Sequence, residues 1–173
     1  YGDAALPGPL DRHIANSTLA NRILEFDAGS GMLTAEAGLS LDEIYRIFLP
    51  RGYFTPVSPG TRFVTLGGMV ASDIHGKNHH VDGTIGQHVD RLAMKLATGE
   101  VIRCSRSCNP DLFRATLGGM GLTGHILEVT LKLARVPSPW ILEERERIPD
   151  IASFVSALES ASRTWPLTAG GID

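Results

Sequence analysis

At 173 residues the chain has the length of one domain, or of one domain and the beginning of a second. A hydrophobic fraction of 43% supports a packed core, whereas a net charge of −3, a pI near 6.1 and scattered Lys and Arg residues provide no basic field for nucleic acid. No run approaches the roughly 20 apolar residues of a membrane span, and Tyr1-Gly2-Asp3 carries neither an initiator Met nor a signal-peptide pattern, so the chain reads as a fragment.

Residues 1–20, with Pro7, Gly8 and Pro9 in close succession, read as loop. Arg22 to Phe26 alternates as a strand, residues 27–31 turn, and Met32 to Ala37 returns, which predicts a hairpin. Ser40 followed by Glu43 has the spacing of a capping box. Leu41, Ile44, Tyr45, Phe48 and Leu49 then share a helical face until Pro50-Arg51-Gly52 stops it.

An apolar approach ends at Val57, and Ser58-Pro59-Gly60 predicts a turn. Thr65-Leu66-Gly67-Gly68 reads as a helix start in which a Thr cap and bare glycine N–H groups form an anion cradle. Gly68, Ala71 and Ser72 put little side chain on one face, where a flat ligand can lie, and His75-Gly76-Lys77 breaks the helix with an imidazole and an ammonium at its exit. Glycine pairs at such junctions also occur in proteins that bind nothing, and the stretch has neither Gly-x-Gly-x-x-Gly nor Gly-Lys-Ser/Thr. If the cradle exists, Val at Gly67 or Gly68 crowds a diphosphate without unfolding the domain.

His75, His79, His80 and His88, with Asp73 and Asp82, form the densest set of metal-ligand residue types, which keeps open a non-enzymatic histidine-rich metal-binding module. Gly76 and Asn78 disfavour the continuous helix that would put His75 and His79 on one face, so no metal is assigned. The plainer readings are that the later histidines tie the segment down and that Lys77 is a solvated loop lysine.

Val89 to Ala97 and Val101 to Ser105, turned by Thr98-Gly99, predict a second hairpin. Cys104 and Cys108 default to free thiols, which suits a reducing, cytoplasmic compartment. Asn109-Pro110-Asp111 starts a helix with an Asn cap, Gly118-Gly119-Met120-Gly121 ends it, and His125 to Ala134 follows as a long strand. The fold class is α+β, a largely antiparallel sheet flanked by helices. Beyond Pro137-Ser138-Pro139, Trp140 to Arg147 looks strand-like and Pro149-Asp150 opens a helix carrying Ile151, Phe154, Val155 and Leu158. The boundary falls between residues 1–136 and 137–173.

Tyr1-Gly2-Asp3, Pro59-Gly60-Thr61, Val64 to Gly68, the string Asp73-Ile74-His75-Gly76-Lys77-Asn78-His79-His80 and Leu117 to Gly124 together resemble the vanillyl-alcohol-oxidase-type (PCMH-type) FAD-binding domain. Within it they are most similar to the decaprenylphosphoryl-ribose 2′-oxidase branch, the flavin half of an epimerase pair. The resemblance covers about Tyr1 to Pro137. It implies the second subdomain of the FAD-binding domain, without its N-terminal subdomain, followed by the truncated start of a substrate domain.

It also implies non-covalent FAD. Tyr1, Gly2 and Asp3 would belong to the pyrophosphate loop; Gly60, Thr65, Leu66, Gly67 and Gly68 would take the diphosphate and ribityl region; Ser72, Asp73, Ile74 and His75 would line the isoalloxazine; and Ile126 would flank the adenine through its backbone on an edge strand. Lys77, with His75 and Tyr1, would stand at the reactive face. The implied activity of the whole enzyme is oxidation of a sugar hydroxyl, lipid-linked or free, by hydride transfer to flavin N5, with a separate NAD(P)H-dependent reductase as partner. An aldonolactone or alditol oxidase is the alternative. The location would be cytoplasmic, or peripheral at the inner membrane. The chain alone is expected to be inactive, to hold little FAD, and to leave its cofactor face open or covered by a second copy.

Overall fold

Alternating apolar residues at Leu33, Ala35 and Ala37, and again at Val129, Leu131 and Leu133, give two segments one buried face each, and pairing these faces side by side is the first step in building the core. In the computed structural model, which describes residues 16–171, the strands are β1 (Ile23–Asp27), β2 (Met32–Glu36), β3 (Tyr53–Phe54), β4 (Val89–Lys95), β5 (Val101–Ser105), β6 (His125–Lys132) and β7 (Ala134–Arg135). The helices are α1 (Leu41–Phe48), α2 (Leu66–Ala71), α3 (His79–Asp82), α4 (Pro110–Thr116) and α5 (Ile151–Thr164).

Five strands form one antiparallel sheet in the order β1-β2-β6-β4-β5, and β3 pairs with β7 separately. The two predicted hairpins are β1–β2 and β4–β5, and the α+β class follows. On one face Leu33, Leu92, Met94, Val129 and Leu131 meet Leu41, Ile44 and Phe48 of α1, Leu66, Met69 and Val70 of α2, and Phe113 of α4. Each such side chain contributes about 1.5–3 kcal/mol on burial.

Helix α1 forms as its sequence predicts. The Ser40 hydroxyl accepts from Glu43 N–H, and the Glu43 carboxylate accepts from Ser40 N–H at 2.9 Å. Gly52, at φ 79°, reverses the chain after the Leu49–Arg51 turn, in a region where a side chain would be strained.

Helix α2 is wedged against the end of β2. Leu66 N–H donates to the Leu39 carbonyl at 2.9 Å and Gly67 N–H to the Ala37 carbonyl at 2.8 Å. A Cβ on Gly67 would lie 2.9 Å from Ala37 Cβ, so glycine here permits close helix–strand packing.

Two local expectations are corrected. Asn109 adopts a left-handed conformation (φ 47°, ψ 52°) and makes no side-chain cap; its amide instead donates to the Arg103 carbonyl at 2.8 Å, closing the loop after β5. Helix α4 still starts at Pro110, because proline at the first position has no N–H to satisfy. Trp140 to Arg147 forms no strand, since no described strand lies alongside to accept its hydrogen bonds. Helix α5 is capped by Asp150, which accepts from Ser153 N–H at 2.9 Å, yet none of residues 137–171 is buried.

Two substitutions test this account. Ser40→Ala should cost about 1 kcal/mol in urea unfolding at neutral pH. The Ser40 hydroxyl, and then its N–H, hold the Glu43 carboxyl below the usual carboxylate range. A depressed carboxylate stabilises above its unfolded value and loses that contribution as pH falls through its folded value, so the gap between parent and variant should narrow below about pH 4. Gly67→Ala should destabilise the flavin-free protein by about 1–3 kcal/mol through overpacking against Ala37; an unchanged melting temperature would contradict this wedge.

Candidate functional site

The candidate residues gather where two turns meet. Gly76 abuts the Ser58 backbone: a Cβ there would lie 2.8 Å from Ser58 O and 3.1 Å from Ser58 N, so no side chain fits. Asn78, buried, donates to the Pro56 carbonyl at 2.7 Å and to Asp82 Oδ2 at 2.7 Å. Behind them Tyr45 Oη shares hydrogen bonds with Ser58 Oγ at 2.5 Å and Thr55 Oγ1 at 3.3 Å. The His75-Gly76-Lys77 turn is thereby locked onto Ser58-Pro59-Gly60.

Gly60 is exposed, and a Cβ there would meet nothing within 4 Å. It lies on the rim of an open depression of about 370 Å³, lined by Leu41, Tyr45, Pro59, Gly60, Thr61, Arg62 and Phe63. Phe63 is 77% exposed, and the Arg62 guanidinium sits 5.4 Å from its ring centroid while pairing with Asp42 at 3.0 Å. An exposed glycine turn, a guanidinium shared with Asp42 and an exposed aromatic ring are groups that can contact a phosphate joined to a flat heterocycle.

The bare N–H groups expected at Thr65–Gly68 are not there. Leu66 and Gly67 N–H bond to Leu39 and Ala37, and Gly68 N–H donates to Thr65 Oγ1 at 3.3 Å. The Thr65 cap forms as read, but the donors it frees are consumed by packing. The side chains of Leu66 and Ile74 lie in the core, which leaves only their backbone to face a ligand.

Ser72 is half-buried at the end of α2, whose Val70 and Ala71 carbonyls accept from Gly118 and Met120 N–H at 3.1 and 2.8 Å. Asp73 is half-buried at φ 41°, with Oδ1 accepting from Gly86 N–H at 2.9 Å. His75 and Lys77 are exposed, and the Lys77 carbonyl accepts from Thr168 N–H at 3.1 Å. Ile126 does not lie on an edge strand: β6 is central, between β2 and β4, although Ile126 sits beyond the last β2 partner pair, Glu36 with Glu128. Tyr1, Gly2 and Asp3 lie outside the described residues.

The histidines are arranged edge to face, His75 to His79 at 5.7 Å and His79 to His80 at 5.8 Å between ring centroids. His79 Nδ1 lies 3.2 Å from the Gly76 carbonyl, His80 Nε2 lies 3.3 Å from that of Trp165, and His88 Nε2 lies 2.9 Å from that of Asp82. Each ring thus ties a loop to backbone. Among the described residues, no three His, Cys, Asp or Glu side chains have a metal-holding arrangement. Cys104 and Cys108 are both unpaired; burial pushes the Cys104 thiol up, away from nucleophilic use.

Periodicity did not reveal three of these features. Tyr45 carries an apolar-face signal, yet its hydroxyl braces the turn; the Arg62–Phe63 pair has no motif; and the Asp73–Gly86 bond joins residues 13 apart in sequence. The Ser-Asp pair at the end of a short helix is the one local hint, because Asp tolerates left-handed backbone better than most residues.

The model of the FAD binding domain family matches residues 12–105. Among curated proteins the chain is 40% identical over 145 residues to decaprenylphosphoryl-beta-D-ribose oxidase of Mycolicibacterium smegmatis, covering 83% of this chain and 31% of that protein. It is 34% identical over 125 residues to L-gulonolactone oxidase of Mus musculus (71% and 27%), and 31% identical over 112 residues to a putative D-arabinono-1,4-lactone oxidase of Neurospora crassa (65% and 20%). The chain therefore spans about a third or less of the length of these relatives. With more than half of its residues matched by the family model, an antiparallel sheet flanked by helices, and glycine-dependent turns converging beside it, the chain belongs to the FAD-binding domain family of flavin oxidoreductases, of the vanillyl-alcohol-oxidase type.

Proposed function

We propose that the chain is the FAD-binding portion of an oxidoreductase acting on a sugar hydroxyl, with residues 1–136 in the cofactor domain and 137–173 entering a substrate domain. The observation that carries this reading is the close contact of Gly76 with Ser58, which puts His75 and Lys77 beside the open Gly60 turn. Likeness to a decaprenylphosphoryl-ribose oxidase supports a lipid-linked pentose as substrate, with a nicotinamide-dependent reductase as the partner that would consume the keto product. Likeness to two lactone oxidases supports a free aldonolactone as the second reading.

Bound FAD would supply the two-electron acceptor for oxidation of the carbinol, the hydride going to flavin N5 and the hydroxyl proton to a base of the substrate domain or to solvent. The protein's own residues orient and place charge. Gly60 and its neighbours offer backbone and the Arg62 cation to a diphosphate. Ser72, the Ile74 backbone and His75, with Thr65 to Gly68 behind them, would wall the cofactor with small side chains and backbone, and His75 would meet the ring without a covalent bond. The Lys77 ammonium, which has no ion-pair partner among the described residues, places positive charge at the reacting face, where it can hold a lipid phosphate. Tyr1 to Asp3 and the Ile126 backbone complete the assignment. Among the described residues no helix is long and apolar enough to cross a membrane; a peripheral membrane contact belongs to the lipid-linked reading.

Four measurements test it. The flavin-loaded full-length protein should bleach its visible absorption anaerobically with a lipid-phosphoryl pentose; bleaching only by aldonolactones favours the second reading, and absence of flavin from the full-length protein refutes both. Acid precipitation should release all the yellow colour into solution; colour in the pellet would show a covalent link. Lys77→Met should keep flavin content while slowing reduction by on the order of 10²-fold. The 173-residue chain alone should show no saturable FAD binding below micromolar, because the roughly 8 kcal/mol that micromolar affinity requires must come mainly from walls beyond one subdomain.

A further inference from the structure

We propose that Asp73 is a positioning residue, which sets the imidazole of His75 through the Gly86 peptide instead of contacting the cofactor; this rests on the reading of His75 as flavin-facing. Asp73 ends α2 in a left-handed conformation, φ 41°, rarely adopted by residues other than Gly, Asn or Asp. Its N–H donates to the Val70 carbonyl at 3.0 Å, and that of Ile74 to the Met69 carbonyl at 3.1 Å, so the reversal is fixed on the helix side. On the other side its carboxylate turns inward, Oδ1 accepting from Gly86 N–H at 2.9 Å.

That bond closes one end of a short antiparallel bridge. Ile85 N–H donates to the Ile74 carbonyl at 2.9 Å, and His75 pairs with Thr84. Ile85 and Ile74 are buried, so the bridge cannot slide. The Gly86 peptide is gripped from its other side by Arg106 Nη2, which donates to the Gly86 carbonyl at 3.0 Å. The space is closed: a Cβ on Gly86 would lie 2.8 Å from Asp73 Oδ1 and 3.0 Å from Leu117 Cδ1, and one on Gly118 would lie 3.3 Å from Asp73 Cβ. The direction in which His75 leaves the bridge therefore depends on a carboxylate two residues before it.

Asp73→Gly separates the two roles of this residue, because glycine adopts the same backbone without strain but offers no acceptor. Asp73→Asn keeps both the acceptor and the tolerance for left-handed backbone. In the flavin-free protein, Asp73→Gly should speed amide exchange at Gly86 roughly ten- to hundred-fold, the range for loss of a hydrogen bond to a charged acceptor, and should shift the His75 ring signals in NMR spectra. Asp73→Asn should stay within about five-fold and keep those signals near the parent positions. In the flavin-loaded protein, Asp73→Gly should alter the visible circular dichroism of the flavin, Asp73→Asn should restore it, and Asp27→Ala, which removes the Gly29 and Ser30 hydrogen bonds of the β1–β2 turn, should leave it unchanged. Parent-like Gly86 exchange and His75 signals in Asp73→Gly, failure of Asp73→Asn to rescue, or an unaltered flavin spectrum would overturn the inference. If the full-length protein holds no flavin at all, the functional reading fails, while the Gly86 and His75 signals still decide the role of Asp73.

Discussion

The site depends on the seating of the short helix α2 against the end of β2, where Leu66 and Gly67 N–H reach the carbonyls of Leu39 and Ala37. A helix of six residues has little stability of its own, since nucleation is costly and few internal bonds follow. It exists here because three of its side chains are buried and its first donors are taken up by a neighbouring segment. Everything downstream inherits this placement: the left-handed exit at Asp73, the bridge of His75 with Thr84, and the turn at Gly76 that meets Ser58.

The same seating changes the physical account of the glycine pair. Glycines at a helix start suggest a phosphate cradle, but a donor already bonded to a carbonyl cannot serve an anion as well. The open backbone lies instead at Gly60, next to Arg62 and Phe63, held in place by a hydroxyl cluster of Tyr45, Thr55 and Ser58. The groups left open in this subdomain are thus two braced turns presenting backbone and charge, and not the N–H groups at the start of α2.

The segment after Pro137 shows the complementary case. Asp150 caps α5 as its sequence foretells, yet Ile151 and Val155 of the helix and the Trp140–Leu142 run keep their side chains exposed, and Phe154 and Leu158 are only half-buried. Its contact with the candidate site is through backbone groups, Thr168 N–H on the Lys77 carbonyl and the His80 ring at the Trp165 carbonyl, contacts that hold a segment in place without burying much surface.

Local signals were legible wherever the cause is local. The Ser40–Glu43 capping box, the Thr65 cap, the Asp27–Gly31 and Thr98–Gly99 turns and the period-two strands each depend on residues within a few positions, and the antiparallel α+β class followed from them. The string from Asp73 to His80 likewise carried the family. Tertiary structure alone decided that β6 is central and not an edge, that Asn109 turns back to Arg103, that Trp140 to Arg147 lacks a strand partner, and that the Gly67 N–H is already used. Each of these turns on which distant group occupies a hydrogen-bond partner or a volume, and a pattern of neighbouring residues holds no information about that until the chain has packed.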